Sequence, residues 1–192
     1  MNDTVTRAQF ARFVRDLNLA ERYPGFQAIQ FVRQVSPGQL AAFTDTVRRD
    51  TTLQAAGYPG FTIHPAVGGT EHHIIEFVEP MAANEKVFGL DLAALPAQLA
   101  AVRSGRDSGS IVATEPSTLI QDTDKAAGVG FVARTPVYRP NMPTDTVEQR
   151  RAAFVGMLAV VRRLETPIHE VRGPAQVGQR KVRGADAGTV AE

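Results

Sequence analysis

The alternation of apolar and polar positions divides the chain into helical and extended segments. Phe10, Phe13, Val14 and Leu17 fall at helical spacing, which predicts an amphipathic helix from about Thr6 to Arg22 with Thr4 or Thr6 as N-cap. Tyr23-Pro24-Gly25 stops it, and Phe26 to Val35, dense in aromatic and β-branched residues, reads as a strand. Ser36-Pro37 then opens a second helix with Leu40, Ala41, Phe43 and Val47 on one side, ending before Gly57-Tyr58-Pro59-Gly60. Phe61 to Pro65 and His72 to Glu79 read as two strands joined across Gly68-Gly69, and the spacing predicts a hairpin. A helix over about Leu95 to Asp107 presents Leu95, Leu99 and Val102, with Gly109 as its stop.

Further strands are predicted at Ile111 to Ala113, Thr118 to Gln121 and Gly128 to Tyr138, with Asp122 to Ala127 as a polar turn. Arg139 to Thr146 is a proline-containing surface loop. Ala152 to Val161 fits either a helix or a central strand buried on both faces, and periodicity alone does not decide. From Thr166 onward Gly, Arg and Ala dominate and a loosely ordered tail is expected. About six strands with helices before and between them predict an α+β fold.

Composition narrows the function classes. The 192 residues suit one domain, or one domain with tails, and 43% hydrophobic with 21% charged residues is the balance of a soluble globule. Net charge is +1 with both signs scattered, which argues against nucleic acid as a partner, since phosphate binding needs basic residues on one face. The basic stretch Arg172 to Arg183 lies in the tail and reads as solvated. There is no cysteine, hence no disulfide and no thiolate chemistry. No run of about 18 apolar residues occurs, so the chain reads either as cytosolic or as a piece taken from between membrane anchors.

No catalytic, metal or cofactor motif stands out. His72 and His73 are neighbours on a strand and point to opposite faces, His64 adjoins a turn and His169 lies in the tail, so surface or hairpin-packing roles are expected. Ser104 sits on a helix with nothing to activate it, and a hydrolase or isomerase would need such a group. Gly128-Val129-Gly130 lacks the third glycine and the helix of a phosphate loop. The carboxylates Asp45, Asp50, Glu76, Glu79, Glu85 and Asp91 are scattered. Arg134 differs: it interrupts the apolar strand Phe131 to Val137, where a guanidinium needs solvent, an internal carboxylate or an anionic ligand.

Five stretches carry a family resemblance in one order: Tyr23-Pro24-Gly25-Phe26, Asn84 to Ala93, Arg106-Asp107-Ser108-Gly109, Pro136-Val137-Tyr138 and Glu148 to Gly156. Over about Thr6 to Leu164 the chain resembles the CHASE domain. The resemblance implies an extracytoplasmic or periplasmic sensor of membrane-bound histidine kinases and nucleotide cyclases, including diguanylate cyclases. It implies a PAS-like antiparallel sheet preceded by a long N-terminal helix that forms a homodimer, with flanking helices, and it assigns Ala152 to Val161 to the sheet. The membrane would be engaged only through transmembrane helices outside this chain. Residues 1–22 are then the dimerisation helix, 23–165 the sensory domain and 166–192 the tail.

In plant cytokinin receptors, which share the domain, an Asp on the helix, a strand backbone group and a Thr on the long strand hold the ligand. These positions fall near Gln98, Ile120 and Arg134 here, and the changed side chains imply a different ligand. Gln98 and Arg134 are donors suited to carboxylates, phosphates or carbonyls, so a small anionic or carbonyl-rich molecule is expected over Ile120, Val132 and Arg134. Asn84 and Gly89 are expected to shape a loop. The competing expectation is a structural dimerisation or partner-binding module whose pocket is filled by its own side chains, Phe131, Phe154 and Met157 among them.

Overall fold

The computed structural model describes residues 5–120 and 129–164. Its centre is a five-stranded antiparallel sheet formed by β1 (Phe26–Val35), β2 (His72–Glu79), β3 (Val112–Ala113), β4 (Val129–Tyr138) and β5 (Phe154–Leu164), in the order β2-β1-β5-β4-β3. The sheet is open, and with its helices it makes the expected α+β fold of PAS-like form. The helices are α1 (Arg7–Asp16), α2 (Leu19–Arg22), α3 (Leu40–Arg48), α4 (Pro96–Ser108) and α5 (Val147–Ala153).

Side-chain alternation on the central strands distributes the core. Ala28 and Gln30 of β1 turn to the side covered by α4, where Val102 packs with Val132, Met157, Ala159 and Val161. Ile29 turns the other way and meets Phe10 and Val14 of α1 together with Phe77. A third cluster, Val35, Val47, Tyr58, Phe61 and Ile74, lies under α3.

Several local expectations change. The N-terminal helix is not continuous to Arg22: Asn18 adopts a left-handed conformation, φ 48°, and divides it into α1 and α2. Thr6 caps α1 with a reciprocal Thr6–Gln9 capping box, as its sequence position suggested. Phe61 to Pro65 forms no hairpin with β2. β2 pairs with β1, while His64 makes only an isolated bridge to Leu90. The hydrogen-bonding edge that the hairpin would have used is taken by Gly89 and Leu90, which bond Ile75.

Thr118 to Ile120 is not a strand either; Ser117 alone bridges Gly130, and Gln121 lies outside the described residues. The Asp122 to Ala127 turn, the tail with His169 and the Arg172 to Arg183 stretch also lie outside them. The strand reading of Ala152 to Val161 holds from Phe154. Immediately before it stands the unexpected helix α5, whose Thr146–Gln149 capping box is the sequence signal that announces it.

Candidate ligand site

The four residues expected to meet a ligand, Gln98, Ile120, Val132 and Arg134, line one small cavity between the sheet and α4. Each arrives by a different route. On β4, Gly130, Val132 and Arg134 alternate inward, and Arg134 is flanked by Val112 of β3 and Ala159 of β5. Gln98 comes from α4, Gln30 from β1, and Ile120 from the irregular segment Ser117 to Ile120 that roofs the space. That segment can lie flat because Gly130 has no side chain: a Cβ there would stand 2.7 Å from Leu119 Cγ.

Arg134 is 2% exposed, and among the described residues its Nε and Nη1 have no hydrogen-bond partner; Gln98 Oε1 is likewise buried and without one. Neither of the ordinary fates of a strand arginine, solvent or an internal carboxylate, applies to these two nitrogens. Burial alone pushes the guanidinium down to about 10. Such a group costs free energy unless something bonds it. The cavity itself is about 30 Å³, room for one or two waters, so a larger guest requires the Ser117 to Ile120 roof to move. Met157 and Phe154 are buried in the same core, whereas Phe131 is only partly buried.

The loop after β2 behaves as its sequence suggested. The Asn84 side-chain amide donates to the Pro80 carbonyl at 3.0 Å and the Ala82 carbonyl at 3.3 Å. Gly89 has φ 87°, where a side chain would collide with the Thr62 carbonyl.

The histidines depart from expectation: His72 and His73 are 3% and 0% exposed, so neither is a surface residue. His72 Nδ1 lies 2.7 Å from Asp91 Oδ2, and Asp91 Oδ1 accepts from the backbone N–H of His73 at 3.0 Å and of Ala93 at 2.9 Å. His73 instead packs beside Phe154, and burial holds it below the ordinary imidazole value although Glu71 pulls the other way. The pairing of His72 with Asp91, nineteen residues on, carries no sequence signal because it depends on how the 84–91 loop folds back on β2.

A second buried guanidinium also went unsignalled. Arg7 of α1 bonds Asp50 at 3.2 Å and lies 4.4, 4.8 and 5.0 Å from the ring centres of Tyr58, Phe77 and Phe88. Of the other scattered carboxylates, Glu76 pairs with Arg33 and Asp45 with Arg49; Asp107, on α4, pairs with Arg106 and Arg151. Among the described residues no group of three or more side chains is arranged to hold a metal ion, and no helix is long and apolar enough to cross a membrane.

No curated protein matches the chain significantly. The family model of the CHASE domain, a sensory domain of signalling receptors, matches residues 3–189. Nearly the whole length is covered, and this chain belongs to the CHASE domain family.

Proposed function

We propose that this chain is the ligand-receiving module of a membrane-bound histidine kinase or diguanylate cyclase, facing the periplasm or cell exterior, and that it senses a small anion at Arg134 without catalysing a reaction. The observation that carries the reading is the buried Arg134 guanidinium with two unpaired nitrogens in a cavity shared with Gln98. An anionic oxygen that accepts from either free N–H recovers part of the desolvation cost that the protein leaves uncompensated. Entry raises the Ser117 to Ile120 roof, so the empty and occupied chains differ in shape; unequal affinity for the two shapes is what a signal requires.

The relay runs through the sheet to its opposite side, where Phe10 of α1 packs 5.3 Å from Phe77. Phe13, 50% exposed on α1, gives a second copy an apolar residue to cover, which supports a homodimer through this helix. On this reading residues 1–22 transmit, 23–165 sense, and membrane helices outside this chain carry the output.

The cavity's volume of about 30 Å³ favours a second reading, a dimerisation or partner-binding module with a self-filled core. Calorimetry with acetate, succinate and phosphate separates the two. Saturable binding that Arg134→Ala abolishes supports the sensor; binding retained by that variant removes Arg134 from the site. No heat from any anion, with a dimer persisting in sedimentation, supports the structural module.

A further inference from the structure

We infer that the His72–Asp91 pair forms the floor of a second ligand site, one that receives a neutral, mostly apolar molecule carrying a single O–H or N–H donor. The site is a cleft of about 410 Å³ between α3 and the 63–67 segment, with Leu40, Ala41, Ile63 and Val67 as apolar walls and His72 and Asp91 at its base. Its volume lies within the range of small-molecule sites, roughly 300–1,000 Å³.

The chemistry follows from the base of the cleft. Asp91 is fully buried and accepts from two backbone N–H groups, so it stands as a fixed acceptor. With Nδ1, 2.7 Å away, donating to it, the neutral form of the His72 ring presents its Nε2 lone pair as an acceptor. Nε2 has no hydrogen-bond partner among the described residues, yet it is not among the sealed, unpaired nitrogens and oxygens of the interior. An imidazole 3% exposed, held by a carboxylate at Nδ1 and belonging to the lining of the cleft, has Nε2 to offer a donor.

The rim sets the ligand's charge. Asp45 is ion-paired to Arg49 at 3.3 Å, and Arg48 Nε donates to the Phe61 carbonyl at 2.9 Å. With Asp45 paired to Arg49, Asp91 bonded to His72 and to two backbone N–H groups, and Arg48 Nε engaged by the Phe61 carbonyl, the charged groups around the cleft are already partnered, and its apolar walls suit an uncharged guest. This separates the site from the sheet cavity, whose Arg134 calls for an anion, and the two inferences stand independently.

Phenol and its methyl ether anisole are the probes, matched in shape except for the donor. In the ¹⁵N-labelled full chain, imidazole-selective NMR should show the His72 Nε2 resonance move saturably with phenol and stay fixed with anisole. Ala66 is exposed on the cleft wall, so Ala66→Trp fills the cleft without disturbing the core and should weaken phenol binding by about tenfold or more. Arg134→Ala should leave phenol binding unchanged. The inference is overturned if phenol leaves His72 Nε2 unmoved, if anisole moves it equally, if Ala66→Trp binds phenol as well as the parent, or if Arg134→Ala abolishes the effect.

Discussion

Arg7 and Arg134 are both 2% exposed, yet the protein treats the two guanidiniums in opposite ways. Arg7 is provisioned: Asp50 stands 3.2 Å from its Nε, three aromatic rings surround its carbon within 5.0 Å, and one nitrogen, Nη2, is left unpaired. Arg134 has neither ring nor carboxylate beside it among the described residues, and two of its nitrogens are without a partner there. The first arginine fastens α1 to the loops around Asp50, Tyr58 and Phe88. The second stores an unmet demand for an anion in the middle of the sheet. A buried charge is therefore informative only together with its partners: a guanidinium held by a carboxylate and a ring cage marks structure, and one with neither marks a place for something else.

The largest effect that tests this contrast is expected at Arg7. Arg7→Ala leaves Asp50 without its cation and opens the aromatic cage, costing about 3 kcal/mol in urea unfolding. A loss below 1 kcal/mol would remove the contrast. Arg134→Met is expected to act in the reverse direction, stabilising the chain by about 2 kcal/mol, because an apolar side chain replaces an uncompensated charge.

The pH dependence at Arg134 has a definite sign. Burial lowers the folded pKa to about 10, so above that pH the unfolded chain binds the extra proton and stability rises with pH. Below it the cost is fully present, and the Met variant should lack the alkaline rise.

Asp50→Asn is expected to cost less, about 1 kcal/mol, since Asp50 is partly exposed and the cage remains around Arg7. Burial raises the Asp50 carboxyl, but hydrogen bonds from Thr52 and the charge of Arg7 outweigh it and hold the net value below the ordinary one. The stabilisation is thus present above the unfolded pKa and disappears as pH falls through the folded one. Acid unfolding of Asp50→Asn should show a shallower decline than the parent. The smallest effect is expected at Gln98→Leu, a gain of about 0.5 kcal/mol from removing an unpaired buried oxygen. A clear loss there would mean that Gln98 already has a partner, and the cavity would no longer be a pair of unmet polar groups.

Much of this fold was legible in the chain. Phe26 to Val35, His72 to Glu79 and the long strand to Tyr138 announced themselves through β-branched and aromatic density, and α4 through its spacing and its Gly109 stop. Arg134 was legible for the same reason, since a charge within an apolar alternation breaks a local pattern. The Phe61 to Pro65 strand failed because composition permits an extended segment without naming its partner, and the edge of β2 went to Gly89 and Leu90. The break at Asn18 failed because one residue's left-handed turn hardly disturbs the apolar period on either side.

Sequence by itself determined the α+β class, the family resemblance and the suspect arginine, because each is written in neighbouring residues or in their period. Tertiary structure alone decided that Arg7 would be caged and Arg134 left unpaired, that His72 would find Asp91, and that the sheet cavity would close to about 30 Å³. These depend on side chains from remote elements meeting in space. Whether a buried polar atom finds a partner is settled only when those elements pack.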